Sequence, residues 1–115
     1  MSPAGTGKQG ETLAAKALTQ AGLRIIEMNF RTPRGEIDII AQDGETLVFA
    51  EVKSWSSYGP EDLENSITRK KQARIIETAK YFLSIHRKYS HMKVRFDVIF
   101  LGNQGMRHLE SAFVE

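Results

Sequence analysis

The chain has 115 residues, 41% of them hydrophobic and 26% charged, which suits a single compact domain spanning residues 1–115. It has no cysteine, which excludes disulfides, thiolate metal sites and a thiol nucleophile and fits a reducing cytoplasm, and its net charge of +2 does not by itself point to a nucleic-acid partner. No run approaches the roughly 18 apolar residues of a membrane span, so no membrane association is expected, and MSPAGTGKQGE has neither the basic start nor the apolar centre of a signal peptide.

Residues 1–8 are small and Gly-rich and are expected to fray. Gln9 to Ala21 reads as a helix, because Leu13, Ala14, Ala17, Leu18 and Ala21 recur at helical spacing and Gly22 is a stop signal. Leu23 to Phe30 is a short strand, and Arg31 to Gly35, with Pro33 and Gly35, a connection. Glu36 to Gln42 and Thr46 to Lys53 are two strands joined at Asp43-Gly44, a strong hairpin signal. Ser54 to Pro60 is a loop. Glu61 to about Tyr89 is mostly helix, with Ile67, Ile75, Ile76, Ala79, Phe82 and Leu83 as its apolar stripe. Lys93 to Leu101 and Met106 to Phe113 are two further strands around a turn at 102–105. This order predicts an α/β fold, a central mixed sheet with helices packed on it.

Basic residues cluster at Arg69, Lys70, Lys71 and Arg74, at Arg87 and Lys88, and at Arg31 and Arg34. Such clusters are most often solvated surface, but they also supply phosphate contacts.

The hairpin raises the functional question, because Glu36, Asp38, Glu51 and Lys53 lie within strands that read as buried. With Asp43 and Gly44 as the two central residues, Gln42 faces Glu45, Asp38 faces Phe49 and Glu36 faces Glu51. One face is then wholly apolar: Ile37, Ile39, Ala41, Val48, Ala50 and Val52. The other carries Glu36, Asp38, Ile40, Leu47, Phe49, Glu51 and Lys53. Asp38 and Glu51 become diagonal neighbours about 7–8 Å apart between backbones. At that separation two carboxylates can share one divalent cation, and a donor set of oxygens favours Mg²⁺ or Mn²⁺ over Zn²⁺. A three-residue loop would instead put Asp38 on the face opposite Glu51. The competing reading is an ion-paired, solvated face built from Glu36, Glu51 and Lys53. Glu11 adds a fourth acid on the core-facing side of the first helix, where it could reach the site or simply favour the helix start.

A cation at Asp38 and Glu51 suits phosphodiester hydrolysis, since a bound metal activates water and offsets phosphate charge. Lys53 would orient or deprotonate that water. His86, His91 and His108 are scattered and read as surface or capping residues, and Asp97 reads as a partner of Arg95 or another basic neighbour.

The order acid, Asp38, then Glu51-Val52-Lys53 resembles the PD-(D/E)xK nuclease superfamily, the restriction-endonuclease-like fold. Within it the chain is similar to the YraN-like family of small bacterial proteins over nearly its whole length. GE at 10–11, MNFRTPRGEIDIIAQDG at 28–44, LVFAEVK at 47–53, YGPEDLENSITRKKQARI at 58–75 and RFDVIF at 95–100 carry the resemblance. The resemblance implies metal ligation by Asp38, Glu51 and the Val52 carbonyl, a catalytic Lys53, and Glu11 as the helix acid of archaeal Holliday-junction resolvases, possible also through water. It implies DNA, branched or single-stranded, as partner, contacted by Arg31, Arg34, Arg69, Lys70, Lys71 and Arg74, and a homodimer. Two positions depart from the pattern: Ile37 stands where proline is usual, and Trp55 where relatives often carry Arg. Tyr58, in the same loop, is either a base-stacking residue or an amphipathic surface side chain.

Three functions follow: a Mg²⁺- or Mn²⁺-dependent, structure-selective DNA endonuclease; a nucleic-acid-binding module on a nuclease fold that no longer cuts and acts with a partner; and an interaction protein without nucleic acid. The complete set Glu11, Asp38, Glu51 and Lys53 favours the first.

Overall fold

The computed structural model describes residues 7–54, 67–102 and 105–115, with side chains from Gln9 onward. Helix α1 (Gly7–Gln20) leads into a meander of three strands, β1 (Arg24–Thr32), β2 (Gly35–Asp43) and β3 (Thr46–Ser54). Helix α2 (Arg69–Ile85) and a short 3₁₀ turn (Arg87–Tyr89) follow, then β4 (Lys93–Gly102) and β5 (Gly105–Phe113). The five strands form one mixed sheet in the order β1-β2-β3-β4-β5. β3 and β4 pair in parallel across the crossover that contains α2, and the other pairs are antiparallel. This is the α/β architecture that the element order predicts.

The helices cover opposite faces of the sheet. Ala14 and Leu18 of α1 pack with Ile39, Ala41, Val48, Ala50, Ile99 and Leu101. On the other side Ile75, Ala79 and Phe82 of α2 pack with Ile40, Leu47, Phe49, Val98 and Phe100. Phe82 anchors this second layer, edge-on to Phe30 at 5.2 Å and to Phe49 at 5.9 Å between ring centroids. Strands buried on both faces lose their alternation. Ile37 through Ala41 are all buried, as are Leu47 through Glu51 and Phe96 through Leu101. The expectation of one core face and one charged face of the hairpin is therefore corrected. Ile40, Leu47 and Phe49 are as deeply buried as their neighbours, and Ile37 joins the α2 layer.

The hairpin register is also corrected. Asp43 pairs with Thr46, Gln42 with Leu47, Ile40 with Phe49 and Ile39 with Ala50. The two central residues are thus Gly44 and Glu45. Gly44 takes φ +60 at the first central position, where a type II′ turn needs glycine. Asp43 stays in the ladder, where its Oδ2 accepts from Arg95 Nη1 at 2.9 Å.

Three smaller corrections concern boundaries. The connection at 31–35 is a tight hairpin, since Thr32 pairs with Gly35. Gly7 and Lys8, expected to fray, begin α1. The second helix starts only at Arg69: Thr68 is extended (φ −65, ψ 158), and its Oγ1 accepts from Lys71 N–H as an N-cap. The helix ends at Ile85, where His86 breaks it before the 3₁₀ turn. Residues 1–6, the loop with Trp55 and Tyr58, the helix expected over 61–66 and the turn residues 103–104 lie outside the described residues.

Candidate metal centre and its cleft

Pairing between β2 and β3 runs from the turn to Ile39 and Ala50 and ends there. One residue further along each strand stand Asp38 and Glu51. In place of a ladder bond, Asp38 Oδ2 accepts from Val52 N–H at 2.8 Å. On the other side of β2, Asn29 of β1 falls outside the paired positions and takes φ +55, a left-handed conformation that few non-glycine residues adopt. Asp38 therefore sits where the sheet departs from regularity on both sides, and no local sequence signal marks Asn29.

Both acids are nearly buried, Asp38 at 8% and Glu51 at 6% exposure. Glu11, projecting from the inner face of α1 one turn before Ala14, is exposed by only 9% and leaves its Oε1 buried without a hydrogen-bond partner. Burial, opposed by the Val52 N–H and reinforced by the neighbouring Glu11 charge, leaves the Asp38 carboxyl raised to about 6. Burial and the Asp38 charge raise Glu51 too, against the opposing pull of Lys71. The ammonium of Lys71, in the first turn of α2, forms an ion pair with the Glu51 carboxylate. Burial lowers the Lys71 pKa, but Glu51, Asp38 and Glu36 outweigh it and hold it above the usual lysine value.

These groups line a cleft of about 530 Å³ with Arg31, Gly35, Glu36, Val52, Arg74 and Ile75. A second hollow of about 440 Å³ adjoins it and shares Arg31, Gly35, Glu36 and Arg74, adding Arg34. Its guanidiniums are held by exposed acids: Arg31 by Glu36 at 3.2 Å and Arg34 by Glu77 at 3.7 Å.

Of the residues singled out in the sequence, Glu11, Asp38, Glu51 and Val52 line the cleft together with Arg31 and Arg74, and Arg34 lines the adjoining hollow. It places other residues elsewhere. Lys53 is half-buried on β3 and, among the described residues, does not line the cleft. Arg69 and Lys70 are exposed at the start of α2, outside the cleft lining. Lys71, expected among the surface DNA contacts, turns inward to Glu51. A signal for this was present, since Lys71 lies four residues before buried Ile75 and so on the inner stripe of the helix.

Asp97 provides the contrast. It is fully buried, yet Arg95 Nε donates to both its oxygens at 3.0 and 3.1 Å, His108 Nε2 lies 2.7 Å from Oδ2, and Ser111 N–H donates to Oδ1 at 3.0 Å. Burial alone would raise its pKa, but His108, Arg95 and Ser111 outweigh burial and hold it below the usual carboxylate range. The predicted Arg95 partnership is present. His108, read from sequence as a surface or capping residue, instead clasps this carboxylate.

Among the described residues, no three acidic or histidine side chains close on one point as a ready-made metal cage. The acids of the cleft nonetheless fit a hard divalent cation: their donors are oxygens, their negative charge is buried, and Glu11 Oε1 lacks a partner.

Comparison with known proteins adds the family context. The family model described as "Uncharacterised protein family UPF0102" matches residues 10–101. A UPF0102 protein of Persephonella marina is 45% identical over 107 residues, covering 93% of this chain and 91% of that protein. A UPF0102 protein of Treponema pallidum subsp. pallidum is 46% identical over 114 residues, covering 93% and 90%. One from Alcanivorax borkumensis is 46% identical over 97 residues, covering 82% and 75%.

Proposed function

The chain belongs to the UPF0102 family, and from that membership and the acidic cleft we propose that it is a metal-dependent DNA endonuclease. The observation that carries this reading is the under-compensated negative charge of Asp38, Glu51 and Glu11 at the head of a cleft rimmed by arginines. Carboxylates are rarely buried together unless a cation offsets them. Mg²⁺ or Mn²⁺ would be held by Asp38 and Glu51, with the Val52 carbonyl and Glu11, directly or through water, completing the set; bound there, it would supply charge neutralisation and an activated water.

The chain's own residues do the rest. Arg31 and Arg74 draw the phosphodiester backbone into the cleft, and Arg34 holds the next phosphate in the adjoining hollow. Arg69 and Lys70 extend the basic track along the start of α2. Lys53, two residues beyond Glu51 on β3 and outside the cleft lining, would have to turn toward the acids to orient the attacking water. The resemblance to resolvases favours branched or single-stranded DNA, and a homodimer would set two such sites for paired cuts.

The test is cleavage of labelled duplex, single strand, flap and four-way junction with Mg²⁺ or Mn²⁺. Wild type is expected to cut at least one of them. Asp38→Asn and Lys53→Ala are each expected to lose activity by about 10²-fold or more, with Lys53→Ala still binding DNA. A fully active Lys53→Ala protein would sink this mechanism.

A second reading rests on the placement of Lys71 and Lys53. With Lys71 paired to Glu51 and Lys53 off the cleft lining, the chain is a DNA-binding module that does not cut alone and acts with a partner. DNA binding that weakens steeply with salt, without cleavage of any substrate, would favour it.

A further inference from the structure

Lys71 sits where helix electrostatics disfavours it. It occupies the third position of α2, where the helix dipole favours an acid and where a capping box would carry Glu or Gln. The first turn of α2 holds no acidic residue. What the position offers instead is reach: it lies on the same helix stripe as buried Ile75 and Thr78, and its side chain ends on Glu51. Glu51 is 7% exposed as a side chain while Lys71 is 49% exposed, so the acid is fixed and the lysine has solvent to swing into. Asp38 and Glu36 lie close enough to act on the same ammonium.

We propose that Lys71 is a tethered countercation, which offsets the Glu51 charge at rest and competes with the divalent cation for Glu51. This rests on the reading that Asp38 and Glu51 hold that cation. Loading the site then requires Lys71 to release Glu51 and turn toward the mouth of the cleft, where Arg74, one helical turn away, lines the same wall. The lysine thus positions Glu51 and sets the metal threshold of the site.

The competition has a signature that a merely structural lysine lacks. Removing a structural partner of Glu51 weakens everything, metal binding included. Removing a competitor weakens the metal-free protein but tightens the metal. The experiment is a calorimetric titration of Mn²⁺ into wild type, Lys71→Met and Lys71→Gln, paired with melting curves in chelator and in excess Mn²⁺. Lys71→Gln keeps a donor for Glu51 while removing the charge, so it covers the case in which Lys71→Met does not fold. Lys16→Met, on the exposed side of α1, controls for the loss of one positive charge, and Glu51→Gln for the site. The expected result is Mn²⁺ bound about tenfold or more tightly by the Lys71 variants than by wild type. Their melting temperature is expected to fall in chelator and rise further with Mn²⁺, while Lys16→Met binds as wild type does. Equal or weaker Mn²⁺ binding by folded Lys71 variants, with binding in wild type and none in Glu51→Gln, would overturn this proposal and leave the metal reading standing. No Mn²⁺ binding by any protein, Lys71 variants included, would overturn the metal reading and this proposal with it.

Discussion

Asp38 and Asp97 are both aspartates in the middle of buried strands, and their surroundings assign them opposite roles. Asp97 has Arg95, His108 and a backbone N–H on its two oxygens, whereas Asp38 has one N–H and two acids. A carboxylate satisfied by donors contributes to folding, and one crowded by like charge opposes it. Asp38→Asn is therefore expected to stabilise the metal-free protein at pH 7 by on the order of 2 to 3 kcal/mol, from the rise of its pKa from 3.8 to about 6. Because the folded pKa is the higher one, the penalty is full above pH 6 and fades as pH falls toward 4. The stability gap between variant and wild type in chelator should narrow over the same window, and a gap independent of pH would contradict the assignment. Asp97 has the opposite sign. Its stabilisation is complete above the ordinary carboxylate range near 3.8 and is lost as pH falls below it. Asp97→Ala, which removes the shared acceptor of Arg95 Nε, His108 and the Ser111 N–H, is expected to cost about 3–5 kcal/mol in denaturant melts at neutral pH.

Helix α2 is the element that makes the cleft, and two contacts fix it. Thr68 caps its first turn, and Gly35 lets the β1–β2 turn approach its side. A Cβ on Gly35 would meet Thr78 Oγ1 at 3.0 Å; Thr78 is fully buried, and its hydroxyl donates to Arg74 O at 2.7 Å. Gly35→Ala is expected to lower stability by about 1–2 kcal/mol, and to weaken DNA binding more than Gly22→Ala does, because Arg74 moves with the helix. Comparing DNA affinity and melting temperature of the two variants tests this; Gly22, at φ +99, strains the backbone when replaced but its Cβ would meet nothing within 4 Å, so its variant controls for lost stability with Arg74 left in place. How far the elements were legible follows from such details. Apolar periodicity and turn residues give the five strands and both helices. The hairpin register was not legible, because Asp43-Gly44 fits a two-residue turn centrally and Asp43 leaves that position for Arg95, 52 residues away. The start of α2 was obscured because Ile67 falls in phase with its stripe, although Thr68 is the cap. Lys71 was legible in spacing and hidden by composition, since a run of three basic residues, Arg69 to Lys71, reads as surface.

At the scale of the molecule, the site exists because the sheet is covered on both sides. α1 brings Glu11 to one face of the strand ends and α2 brings Lys71 to the other, and the acids between them are enclosed by both. The acidic motif was readable from the order of residues in the sequence. The left-handed Asn29, the opening of the β2–β3 ladder and the Asp97–His108 clasp arise from contacts between distant segments, and no local pattern encodes them.

The crossover between β3 and β4 carries one more implication, for assembly in time. β1, β2 and β3 are joined by turns of two residues, so their contacts close quickly. β3 and β4 pair only after the chain from Ser54 to Lys93, α2 included, has been laid down. During synthesis Asp38 and Glu51 therefore meet before their helical lid exists, open to water and to whatever cations the solution holds. The docking of α2 is the step that buries them and delivers the lysine, so the maturing site passes from a solvated acidic hairpin to an enclosed one within a single folding event.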